Sequence, residues 1–284
     1  MSAAAVPHIT LNDGNTIPQL GFGVYKVAPE DTVEAVSQAL EVGYRHIDTA
    51  QMYGNEKEVG QAIQASGLDR SEIFVTSKLN NGFHEPKEAR AAFAQTLSDL
   101  GLDYVDLFLI HWPLPTRYGG DYVSTWQTLE EFKSQGRSRS IGVSNLQPDH
   151  LDRLASETET TPAVNQIESH PYLANDFVRQ YCHDHGIAVE AWSPIAKGGV
   201  DDDTTIYTIA ERVGKTPAQV VLRWHVQRDH IVFPKSVTPS RIKENYEIID
   251  FELGAEDMRE ITALDMGEEG RTGPHPDTFD YIPG

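Results

Sequence analysis

The chain has 284 residues, 39% hydrophobic and 9% aromatic, enough to bury the core of a folded globular protein. Its formal net charge of -20 argues against a nucleic-acid-binding surface. Cys182 is the sole cysteine, so no intrachain disulfide forms and the chain suits a reducing cytoplasm.

In chain order, residues 1–7 carry neither the basic region nor the apolar core of a secretory signal. No apolar run anywhere approaches the roughly 20 residues of a membrane span. Residues 8–11 and 16–20 read as a hairpin turning at Asp13-Gly14. Eight short apolar, β-branched runs then follow, at 21–25, 46–50, 73–79, 105–112, 139–145, 163–169, 188–194 and 231–236. They are continuous rather than alternating, as parallel strands covered on both faces should be. Helical patterns separate them. Residues 31–42 carry Val33, Val36 and Leu40; 86–100 open at Pro86 and stop before Gly101; 217–228 carry Val220, Val221, Trp224 and Val226. The amphipathic stretch 175–185 holds Cys182, His183 and His185 and reads as ordinary helix surface rather than a metal site. Two more helical stretches, 240–249 and 255–266, follow the last run, and the Gly- and Pro-rich tail 267–284 reads as a loop. Eight strand–helix units without a composition break predict one (β/α)8 TIM barrel over residues 1–284. The hairpin is expected to plug its bottom and the tail to lie over its active site.

The most informative segment is 43–60, GYRHIDTAQMYGNEKEVG. It places a carboxylate, Asp48, at the end of an apolar run and a phenol, Tyr53, in the loop beyond. Lys78 and His111 stand at the ends of the next two runs. In a barrel the chemistry sits at the C-terminal strand ends. There an acid, a phenol, an amine and an imidazole can form a proton-donating site. Asn145 and Trp192 lie at further strand ends, and Gln166 lies inside the sixth run. A second signal is electrostatic: Lys235, Arg241 and Lys243 fall within an acid-free stretch of an otherwise acidic chain.

These stretches, with YVDLFLIHWP at 104–113, IGVSN at 141–145, PAVNQIE at 162–168 and FPKSVTPSRIKEN at 233–245, resemble the aldo-keto reductases. The nearest resemblance is to the prokaryotic 2,5-diketo-D-gluconate reductases, over essentially the whole chain from Ile9. The resemblance implies an NADPH-dependent oxidoreductase that reduces aldehydes, ketones or dicarbonyls, keto-sugar acids included, to alcohols. It implies a catalytic tetrad of Asp48, Tyr53, Lys78 and His111. A free phenol has a pKa of about 10, and Lys78 is expected to lower that of Tyr53. Asp48 would keep Lys78 charged, His111 would bind the carbonyl, and Tyr53 would act as general acid. The hydride would come from NADPH, since no side chain supplies one. By the same resemblance Ser144, Asn145 and Gln166 hold the nicotinamide carboxamide, and Trp192 stacks on the ring. The loop 193–199, beginning at Ser193, lies near the pyrophosphate. Lys235, Ser236 and Arg241 clamp the 2′-phosphate, and Glu244 and Asn245 contact adenine. The dinucleotide fingerprint is absent, since 21–26 lacks its third glycine. Around the substrate the chain departs from many relatives, with Asn80-Asn81 where they carry tryptophan. Tyr25, Asn80, Trp112, residues 80–84 and the tail 271–281 are the expected pocket.

A small-molecule carbonyl is thus the expected partner of a cytoplasmic monomer, with no metal, membrane or nucleic acid. Two other readings fit the same residues. One is a cofactor-binding regulatory or redox-sensing barrel with little turnover; the other is a lyase in which Lys78 forms a Schiff base.

Overall fold

The computed structural model describes residues 5–283. Residues 1–4, part of the segment 1–7 that does not read as a secretory signal, and Gly284 of the tail lie outside them. A hairpin, β1 (His8–Thr10) and β2 (Thr16–Pro18), opens the fold. Its turn is closed by Leu11 N donating to Asn15 O at 2.8 Å, and Gly14 takes φ 87°, a conformation glycine adopts without a Cβ clash.

Eight parallel strands follow: β3 (Phe22–Gly23), β4 (His46–Asp48), β5 (Phe74–Leu79), β6 (Val105–Ile110), β7 (Ser138–Ser144), β8 (Val164–Glu168), β9 (Ala188–Trp192) and β10 (Ile231–Val232). Each pairs in register with the next in the chain. The ring closes where Leu20 bridges Val232 and Gly21 N donates to Val232 O at 2.7 Å. The close approach continues at Gly23, where a Cβ would fall 2.6 Å from the Phe233 carbonyl oxygen. The predicted (β/α)8 barrel is therefore present, with first and last strands shorter than their apolar runs.

The helices are α1 (Pro29–Val42), α2 (Glu56–Ala65), α3 (Pro86–Leu100), α4 (Val123–Ser134), α5 (Pro148–Glu157), α6 (Asp176–Asp184), α7 (Thr204–Val213), α8 (Pro217–Gln227), α9 (Pro239–Tyr246) and α10 (Ala255–Thr262). Proline in the first turn of α1, α3, α5, α8 and α9 presets the helical φ and forfeits no intrahelical bond. No helix of the described residues is long and apolar enough to cross a membrane.

Alternate residues of each strand divide the core. Phe108 points outward, 4.5 Å from the Phe93 ring of α3, which stacks at 4.2 Å on Phe132 of α4. Leu107 and Leu109 point inward and join Leu11, Ile17, Phe74, Val164 and Ile231 in a separate cluster at the barrel floor. The hairpin is tied there by Asn12 Nδ2 to Pro162 O at 2.9 Å and Asn15 Nδ2 to Ser140 Oγ at 3.0 Å. It is the expected plug, and it reserves the opposite end of the barrel for polar groups.

One reading is corrected. Cys182 is not helix surface but is fully buried against the core on α6, while His183 and His185 are exposed on the same helix. Burial raises the thiol to about 11, so it stays protonated at neutral pH. Among the described residues no group of three or more His, Cys, Asp or Glu could hold a metal ion.

Candidate active site

Three successive strand ends, those of β4, β5 and β6, deliver the four expected groups to one place. Asp48 is the last residue of β4, Lys78 is near the end of β5, and His111 follows β6 directly. Tyr53 ends a short 3-10 turn at 51–53 that reaches back over the barrel from β4. Lys78 is fully buried. Its Nζ donates to Asp48 Oδ1 at 2.6 Å, Thr49 O at 3.0 Å and Tyr53 Oη at 3.2 Å. All three ammonium hydrogens are thereby used. The His111 ring meets Tyr53 edge-on, with centroids 5.8 Å apart.

Burial acts on every member. It works against the Lys78 ammonium, but Asp48 and Tyr53 outweigh it and the net direction is upward, so Lys78 stays charged. Burial pulls His111 well below its usual range, and Lys78 adds to this, so the imidazole is neutral. For Tyr53 the balance differs from the expectation. Lys78 does favour the phenolate, but burial is the larger effect and pushes the phenol up to about 12. Tyr53 therefore holds its proton across the neutral range.

Beside this cluster lies a chain of hydrogen bonds across β7, β8 and β9. Ser144 Oγ donates to Gln166 O at 2.9 Å. Asn145 Nδ2 donates to His111 O at 3.0 Å, and its Oδ1 accepts from Trp192 Nε1 at 2.8 Å. Asn145 adopts φ 65°, a left-handed conformation that asparagine tolerates better than most residues. Gln166 Nε2 donates to Asp48 Oδ2 at 3.0 Å and so joins the two networks.

A family model described as "Aldo/keto reductase family" matches residues 19–266. The chain belongs to this family. It is 50% identical over 275 residues to an aldo-keto reductase of Mycolicibacterium smegmatis, covering 97% of this chain and 98% of that protein. It is 46% identical over 273 residues to the methylglyoxal reductase DkgA of Escherichia coli, covering 95% of this chain and 97% of that one. Among solved structures, a mutant of Gox0644 in complex with NADPH superposes with a TM-score of 0.93 at 42% identity, over 98% of this chain and all of that chain.

On the aldo/keto reductase barrel the remaining expected residues separate into two groups. Lys235 and Arg241 are exposed, and among the described residues neither forms an ion pair. They flank the start of α9, with Ser236 buried between them and its Oγ accepting from Thr238 N at 3.0 Å. Glu244 is held by Thr216 Oγ1 at 2.8 Å, and Asn245 is buried beside it. The loop from Ser193 carries three successive departures from ordinary backbone, at Ser193, Ala196 and Lys197, all with positive φ. Such strain at non-glycine residues concentrates at functional loops.

The pocket group is looser. Tyr25 is 51% exposed, its ring 5.2 Å from that of Tyr53. Asn80 is occupied in capping the turn at 81–83 through Gly82 N at 2.9 Å. Trp112 is covered by the tail, its ring 4.3 Å from Phe279. The tail is fastened by Asn81 Nδ2 to Tyr281 O at 2.9 Å and by Glu168, which accepts from Thr272 N at 2.8 Å and Thr272 Oγ1 at 2.6 Å. Lys197 Nζ reaches Thr272 O at 3.0 Å, so the strained loop and the tail also meet.

Sequence reasoning missed Glu168 as the anchor of the tail, Phe279 as an aromatic wall, and Glu190. Glu190 is fully buried on β9 and accepts from Gln166 Nε2 at 2.6 Å. Burial, with Asp48 close by, raises it to about 8. Its signal was available, because an acid inside the apolar run 188–194 has no packing reason to be there.

Proposed function

We propose that the chain is an NADPH-dependent reductase of aldehydes, ketones and dicarbonyls, with Tyr53 as the general acid. The observation that carries this is Lys78 Nζ, which joins the Asp48 carboxylate and the Tyr53 hydroxyl in a buried site at the strand ends. A phenol held protonated beside a fixed ammonium is primed to give up its proton only as negative charge develops on a substrate oxygen. Lys78 then stabilises the phenolate left behind, and Asp48 keeps Lys78 charged and in place. The neutral His111 imidazole can donate to the same oxygen and orient the carbonyl.

The residues present fit a nicotinamide dinucleotide phosphate. Lys235 and Arg241 are cations without ion-pair partners among the described residues of an acidic chain, as a 2′-phosphate requires. Trp192 is locked by Asn145 as a ring to stack on, and Ser144, Asn145 and Gln166 lie together beside it. NADPH, when bound there, supplies the hydride. The tail and the loop from Ser193 exclude water from that cleft.

The test is NADPH oxidation against a panel of aldehydes, ketones, α-dicarbonyls and keto-sugar acids, with NADH in parallel. The methylglyoxal reductase relatives make α-dicarbonyls the first choice. Consumption of NADPH with at least one carbonyl class is expected, and borohydride with substrate should trap nothing on Lys78. Tight NADPH binding without turnover would favour a sensing role. A trapped Lys78 adduct would favour a lyase.

A further inference from the structure

Glu190 belongs to none of the roles above, yet it occupies an expensive position. The side chain has no exposure, and its Oε1 is buried with no hydrogen-bond partner. Leaving a buried polar atom unpaired costs stability, and an apolar residue of similar size would avoid that cost. The other oxygen makes one bond, to Gln166 Nε2 at 2.6 Å.

That bond decides how Gln166 presents itself. A side-chain amide has two N–H groups and one acceptor oxygen. Both N–H groups of Gln166 are taken, one by Asp48 Oδ2 at 3.0 Å and one by Glu190 Oε2. Flipping the amide would set its oxygen against Asp48, so the orientation is fixed from below. Among the described residues no donor reaches Gln166 Oε1, and this oxygen is not among the buried unpaired atoms. It is therefore the part of this buried residue that remains open. The neighbouring amide offers no such acceptor, because Asn145 Oδ1 is bonded to Trp192 and its Nδ2 to His111 O and Ser144 Oγ.

We propose that Glu190 is a positioning residue for nicotinamide recognition. With Asp48 it holds both N–H groups of Gln166, leaving Oε1 as a fixed acceptor for the carboxamide N–H of the cofactor. This rests on the NADPH reading above. It predicts that Glu190 acts on the nicotinamide half of the ligand alone.

The experiment compares NADPH with 2′-phospho-ADP-ribose, which lacks nicotinamide, by titration against the parent, Glu190→Leu and Glu190→Gln. Glu190→Leu should bind NADPH about 3- to 10-fold more weakly, the scale of one hydrogen bond. Its affinity for 2′-phospho-ADP-ribose should match the parent's. Glu190→Gln keeps an acceptor for Gln166 Nε2 and should restore NADPH binding. The melting temperature of Glu190→Leu should stay close to the parent's, since the unpaired Oε1 it removes offsets the Gln166 N–H it leaves without an acceptor; a purely structural residue would lower it. If Glu190→Leu fails to fold, Glu190→Met carries the same comparison. Parental NADPH affinity in the apolar variants, or equal losses for both ligands, would overturn the assignment. A parent that binds neither ligand would instead overturn the NADPH reading.

Discussion

Removing Lys78 leaves Asp48 buried and uncompensated, because their 2.6 Å pair has almost no solvent exposure on either side. Breaking such a pair from one side typically costs about 3–5 kcal/mol. Lys78→Met should therefore unfold at lower denaturant, and adding Asp48→Asn should recover part of that loss without restoring activity. The pH dependence tests the chemistry separately. In the proposed mechanism carbonyl reduction uses protonated Tyr53, which burial holds up at about 12, so the parent's reduction rate should be flat from pH 6 to 9 as far as this group is concerned. Alcohol oxidation needs the phenolate and should rise by about tenfold per pH unit over the same window. Without the Lys78 ammonium the phenol rises further, so the oxidation limb should move to higher pH; superimposable profiles would remove Lys78 as the group that tunes Tyr53. All four groups were legible because each stands at or just beyond an apolar run. The net direction of the Tyr53 shift was not, since the spacing shows which charge is near but not how much water is excluded.

At the scale of elements, the start of α9 is where the proposed function places cofactor choice. A charged hydrogen bond contributes roughly 1.5–3 kcal/mol, so Arg241→Ala should cost on the order of 10- to 150-fold in NADPH affinity. NADH affinity should hardly change; equal losses would mean that Lys235 and Arg241 grip something other than the 2′-phosphate. Losses from Lys235 and Arg241 need not add, because both would serve one group. The tail should act on the other ligand. Phe279→Ala strips the cover from Trp112 and should raise KM for the carbonyl while leaving the NADPH dissociation constant unmoved. A change confined to NADPH binding would place Phe279 outside the substrate pocket. The acid-free stretch made α9 readable, since its charge contrasts with the whole chain. The docking of the tail was not readable. Gly and Pro content marks residues 267–284 as loop, but the contact between Thr272 and Glu168 joins positions 104 residues apart and leaves no local periodicity.

For the whole molecule, alternation of apolar runs and helical patterns was enough to predict the barrel, because parallel strands covered by helices admit few other closures. What it could not show was the polar layer at the upper end of the barrel, where Asp48, Lys78, Gln166 and Glu190 sit together without exposure. That layer has a consequence for stability. Burial raises Glu190 to about 8 and Glu56 to about 7, both from 4.5, so the folded chain keeps protons that the unfolded chain has released. Stability from these groups is present below about pH 4.5 and is lost as pH rises through 7 and 8. Buried histidines such as His46 and His111, held neutral in the fold, act in the opposite sense below about pH 6.5, so the comparison is between proteins: the parent's melting temperature should fall relative to that of Glu190→Leu between pH 5 and 8, and parallel curves would contradict the burial of Glu190. The most direct test of the whole account is Tyr53→Phe, measured for NADPH-dependent carbonyl reduction and for NADPH binding on the same preparation. The account predicts a loss of turnover of at least roughly 10²-fold with an unchanged NADPH dissociation constant. Near-parental turnover in Tyr53→Phe would contradict it.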